Sequence, residues 1–115
     1  MSEQSDASLF AHHTFLPWAR ESYACVVLNL HTEHSPTGLD RSAVAFRSLI
    51  DEAIIRGGSY YLTYHRWARP DQLAACYPQF GQFGAHKLRY DPQQRFVSDW
   101  WRQVSTTSPW RRAAA

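Results

Sequence analysis

The densest run of chemistry-bearing side chains in this 115-residue sequence is SYYLTYHRW, residues 59–67, which sets Tyr60, Tyr61 and Tyr64 beside His65 and Arg66. Phenols donate and accept hydrogen bonds, and a histidine of ordinary pKa changes charge near neutrality. In an extended segment Tyr60, Leu62 and Tyr64 share one face and Tyr61, Thr63 and His65 the other. Their rings suit packing and their tips hydrogen bonding at a sheet margin as well as they suit chemistry. Lys87 has two uses as well, as a basic group near a site or as a cation that complements a helix C-terminus. Asp99 suits a cap or an ion pair better than a general base.

Six histidines raise the question of a metal, with His31, His34, His65 and Glu33 as the candidates. The spacing argues against it, because neither HExxH nor CxxC occurs. A Gly-rich phosphate loop and a Gly-x-Ser-x-Gly elbow are also absent from the sequence. Cys25 and Cys76 are the two cysteines, each among apolar neighbours and far apart, and they read as buried, reduced thiols.

The elements that would position these groups follow from periodicity. Residues 23–30, YACVVLNL, have the length and β-branched content of a strand, and 59–65, SYYLTYH, read as a second. Between them, past Pro36 and Gly38, a helical period over 39–56 puts Phe46, Leu49, Ile50, Ala53 and Ile54 on one face, with Gly57-Gly58 as the stop. Helix is expected again over 70–89, opened by Pro70 and bent or ended by Pro78, with a stretch from Phe80 to Arg89. Asp91-Pro92 is a turn, and FVSDWW a short apolar-aromatic terminal segment. Strand, helix, strand, helices is half of an α+β sandwich of the split βαβ kind, with an incomplete antiparallel sheet whose edges lack partners.

Composition fits one globular domain: 44% hydrophobic and 19% charged residues, with five Trp, six Tyr and six Phe that require burial. A formal net charge of +2 implies no strong field for nucleic acid. The basic, aromatic end at Trp110, Arg111 and Arg112 suits a small RNA-binding protein in composition but lacks an ordered stacking motif. The start of the chain is not a signal sequence and no segment has the length of a membrane span, so a cytoplasmic location is expected. The division expected is a partly disordered lead over 1–22, one unit over 23–103 and a tail over 104–115.

Three stretches, RGGSYYLTYHRWA, CYPQFGQFGAHKLRYDP and RFVSDWWR, resemble in order the closing segment of bacterial FAD-linked oxidases and dehydrogenases of the vanillyl-alcohol oxidase superfamily. Sugar oxidases acting on decaprenyl-phosphoryl ribose are similar over the same stretch. The resemblance covers most of 23–102. Gly84 and His86 depart from it, standing where the family commonly has apolar residues and weakening that helix.

The resemblance implies the C-terminal part of a ferredoxin-like cap domain, which covers the flavin ring and positions an alcohol or sugar carbon for oxidation. It implies FAD as cofactor, with Tyr61, Tyr64, His65 and Lys87 toward the flavin and Tyr64 and His65 at the reacting centre. In the sugar oxidases a lysine at the position of Tyr64 lies near the flavin; a tyrosine brings no charge there, so His65 or Arg66 would supply the cation. The residues that hold the FAD pyrophosphate lie upstream of anything in this sequence. A separate flavin-binding domain or subunit is therefore the expected partner, with homodimerisation by strand addition as another outcome of the open sheet. The alternative is a non-catalytic truncated remnant or a small binding module.

Overall fold

A computed structural model describes residues 14–63 and 65–107. Among the described residues four helices follow one another: α1 (Pro36–Ile55), α2 (Pro70–Cys76), α3 (Phe80–Tyr90) and α4 (Asp99–Thr107).

Each boundary has a local chemical cause. The Ser35 hydroxyl accepts from the Gly38 N–H at 3.1 Å and caps α1, with Pro36 in its first turn. Gly38 is required by close approach, since a Cβ there would sit 2.3 Å from the Glu33 carbonyl oxygen. At the other end Gly57 takes a φ of +71°, and the N–H groups of Gly57 and Gly58 close onto the carbonyls of Ile54 and Ala53. Pro70 opens α2, and the Gln72 side chain reaches back to the Arg69 N–H at 3.0 Å. Pro78 separates α2 from α3, as its missing N–H demands. Ser98 caps α4 by accepting from the Trp101 N–H at 3.1 Å.

The core lies where α1, α2, α3 and α4 contribute Ile50, Leu73 with Cys76, Phe80 and Trp101, joined by Tyr77. Leu16, Trp18, Tyr60, Leu62, Phe83 and Trp100 pack around it. Much of it is aromatic: Phe80 lies 5.9 Å from Phe83 and 6.3 Å from Trp101, and Phe83 meets Trp101 edge-on at 5.9 Å. A polar bolt joins α1 to α2. Buried Gln72 donates at 2.8 Å to both the Arg47 carbonyl and the Asp51 carboxylate, while Arg69 bridges Asp51 at 2.8 Å and Asp71 at 3.1 Å.

The expected α+β, ferredoxin-like architecture is not what forms. Among the described residues there is no strand and no sheet, and all regular structure is helical. A strand needs a backbone partner, and neither segment finds one in the other. Residues 22–33 run without helix, turn or bend, their apolar side chains largely in solvent. In the second segment, the Ser59 hydroxyl donates to the Trp18 carbonyl, the Tyr77 hydroxyl donates to the Tyr60 carbonyl, and a turn at 62–63 breaks the run. Tyr60 and Leu62 turn toward the helical core.

The helices fare better. The one expected over 39–56 starts three residues earlier, at Pro36, and of its expected face Ile50 is buried while Leu49 is 38% exposed. The stretch over 70–89 divides at Pro78, and α3 forms with Gly81 and Gly84 inside it, Gly84 being buried. FVSDWW, expected as a terminal segment, opens α4 instead. No described helix is long and apolar enough to cross a membrane.

Candidate functional site

His65 sits in an aromatic nest drawn from two parts of the chain. Phe46 of α1 lies 4.3 Å from its ring, Tyr60 stacks at 5.6 Å and Trp67 at 6.0 Å. The Trp67 N–H points at His65 Nδ1 at 3.4 Å, and the Trp67 carbonyl in turn accepts from Arg47 Nε at 2.7 Å. Acceptance at Nδ1 leaves the proton of the neutral imidazole on Nε2. Half-burial among rings disfavours the imidazolium and holds the pKa of His65 below its ordinary value. His65 is therefore neutral at pH 7 and does not supply a cation. Arg66 beside it is exposed.

The hollow next to His65, walled by Tyr60, Arg66, Leu73, Trp100 and Gln103, holds only about 20 Å³. That is room for about one water molecule. Tyr61, on the outer side of the same stretch, is 52% exposed. Tyr64 lies outside the described residues.

Lys87 is placed elsewhere. It stands in the last turn of α3, ion-paired with Asp91 and largely shielded from solvent. Asp91 also accepts the N–H groups of Arg95 at 2.8 Å and Phe96 at 3.0 Å, and these donors hold its carboxyl down at about pKa 2, with Lys87 the largest cause. The K-x-x-YDP stretch is thus a closed ionic turn. Lys87 borders a broad, open cleft of about 460 Å³ formed by Phe83, Phe96, Val97, Ser98, Trp100 and Trp101. The two hollows share only Trp100, so the fold does not bring Lys87 to His65.

Among the described residues these groups do not form an FAD site. The hollow at His65 is too small for a three-ring system, and the amides and ammonium near the larger cleft are already satisfied by Asp91. His31, His34 and Glu33 do not converge with His65, and no described cluster of three His, Cys, Asp or Glu residues could hold a metal. Cys76 is buried, its thiol pushed up by desolvation, whereas Cys25, also expected to be buried, is exposed. Asp99 pairs with Arg102 at 2.7 Å on the surface.

Phe46, Trp67 and Trp100 were not singled out by the sequence as site residues. Phe46 was legible as a core-facing helix position, but nothing in its spacing connects it to a histidine 19 positions later. Comparison with protein families, with curated proteins and with solved structures finds no match to this chain.

Proposed function

We propose that this chain is the C-terminal, substrate-side portion of an FAD-dependent oxidoreductase acting on an alcohol or sugar carbon, with the flavin held by a separate polypeptide. The observation that carries the reading is the state of His65. It is held among three rings and faces a hollow with room for about one water, an arrangement that supports a role as one wall of a site completed by another polypeptide. The motif resemblance supplies the flavin, and the helical fold changes what this portion contributes: a rigid aromatic surface with polar tips in place of a sheet. On this reading Arg66 is the cation of the stretch, and Tyr61 and the Nε2–H of His65 are its hydrogen-bond donors.

The test is co-expression with a flavin-binding polypeptide encoded beside this chain. A soluble yellow complex is expected, in which His65→Phe or Arg66→Met slows flavin reduction by substrate while the complex stays intact. No complex with any such polypeptide, or full reduction rates in both variants, would overturn the proposal. The second reading, a binding module without chemistry, draws on the aromatic cleft at Phe83, Phe96 and Trp100. A small ligand seated there, with no flavin partner, would favour it.

A further inference from the structure

Among the described residues, the extended segment 22–33 leaves apolar side chains and backbone groups open to solvent. Val26 and Val27 are 74% and 79% exposed, with Leu28 and Leu30 also open to solvent. Among the described residues, no backbone N–H or C=O of residues 24–31 makes a hydrogen bond with another backbone group. Yet the segment is tethered at both ends. The Tyr23 hydroxyl donates to the Gly57 carbonyl just past the end of α1, and Thr32 Oγ1 meets Ser42 Oγ at 2.9 Å near its start. The segment therefore runs antiparallel to α1, pinned in an extended form. Much of the entropy cost of ordering a strand is met before any neighbour arrives.

We infer that this segment pairs with the same segment of a second copy, making a homodimer joined by a two-stranded antiparallel ribbon. The argument for a second copy is self-complementarity. A two-fold axis through an antiparallel pair runs perpendicular to the ribbon and sets one residue opposite its own counterpart. With the axis at Val27 the paired stretch is 23–31, the Tyr23 tether at one end included, and every large apolar side chain of the segment finds an apolar counterpart. In this register Val26 faces Leu28 of the second copy and Ala24 faces its Leu30, so one face of the ribbon is wholly apolar with large and small residues matched. On the other face Val27 meets Val27 and Cys25 meets Asn29. No Asp, Glu, Lys or Arg occurs from Ser22 to Thr32, so no like charges oppose one another. Pairing satisfies backbone groups now left to water and buries the most exposed valines. This inference does not rest on the flavin reading.

The experiment uses the full chain in sedimentation velocity across a concentration series. A concentration-dependent dimer is expected for the wild type. Val27→Lys should be monomeric throughout with an unchanged helical far-ultraviolet spectrum, because it sets two ammonium groups face to face at the axis. In a Cys25→Ser background, Val27→Cys should form a covalent dimer on mild oxidation. In the wild type, by contrast, Cys25 and its counterpart lie four positions out of register, about 13 Å apart along the strands, and should not cross-link. A wild-type monomer overturns the inference, as would be the case if residues 1–13 or another class of partner occupied the segment. So does an open-ended aggregate, or a dimer that Val27→Lys leaves intact and Val27→Cys fails to trap.

Discussion

The Tyr77 hydroxyl donates to the backbone carbonyl of Tyr60, 17 residues earlier, and the two rings meet edge-on at 5.7 Å. Tyr77 is 1% exposed and closes α2, so this bond ties the 59–63 segment to the helical core. It also takes a carbonyl that a sheet would have used. Burial pushes both phenols well above their usual pKa, which keeps the Tyr77 hydroxyl protonated as a donor at neutral pH. Tyr77→Phe keeps the ring and leaves the carbonyl unanswered. A loss of about 1 to 2 kcal/mol is expected in urea unfolding, with helical content unchanged. A variant as stable as the wild type would show that the segment is held by packing alone.

Core and strap should respond oppositely to truncation. Phe80→Ala and Trp101→Ala each remove a ring from the buried cluster and should cost about 3 to 5 kcal/mol. Val27→Ala, on a side chain that is 79% exposed, should change the stability of the monomer by less than about 0.5 kcal/mol. Chemical unfolding at a concentration that keeps the chain monomeric measures both.

Gln72 is 1% exposed and its amide spans three groups: the Arg47 carbonyl, the Asp51 carboxylate and the Arg69 N–H. Gln72→Leu preserves bulk but strands these partners. A loss of about 1 to 3 kcal/mol is expected, read as a lower urea midpoint at constant slope.

Acid should act in two stages. The folded pKa of His65 is depressed by burial, so its contribution to stability is complete above its unfolded value of about 6.5 and is lost as pH falls through the lower folded value. The Asp91 carboxyl is held at about 2, so its contribution is complete above about pH 4 and disappears between there and 2. Melting temperature should therefore be flat just above neutrality, decline once below about pH 6.5, and decline again below about pH 4. His65→Phe should abolish the first decline and keep the second. Asp91→Asn should keep the first decline and shrink the second without removing it, because hydrogen bonds from Arg69 hold Asp51 and Asp71 below their ordinary values as well. A first decline that persists in His65→Phe would place the titrating group elsewhere.

The purified chain alone should be colourless, because the hollow beside His65 has room for about one water and Lys87 is already paired with Asp91. Stoichiometric flavin absorbance after dialysis would show that the chain holds FAD unaided.

The amino-acid sequence by itself determined that helix lies over most of α1, α2 and α3, because their signals are local, whereas α4 was read from it only as a terminal segment. Gly57 ends α1, Pro70 and Pro78 bound α2, and the spacing of Ile50, Ile54, Leu73, Cys76 and Phe80 marks the faces that pack, while the start of α1 at Pro36 under the Ser35 cap came from the structure. The sequence placed Lys87 in the last turn of a helix and read Asp99 as a cap or pairing residue, and the structure supplied their partners, Asp91 and Arg102. The fate of YACVVLNL and SYYLTYH was decided only by tertiary structure. β-propensity records a fit to a pleated surface, and that surface exists only when a second backbone is present to pair with. Here Tyr77 captures one segment for the helical core, while Tyr23 and Thr32 hold the other extended along α1 with no described backbone partner. The neutrality of His65 was hidden for the same reason: it arises from Phe46, Tyr60 and Trp67 meeting around one ring, and Phe46 is distant from it in sequence.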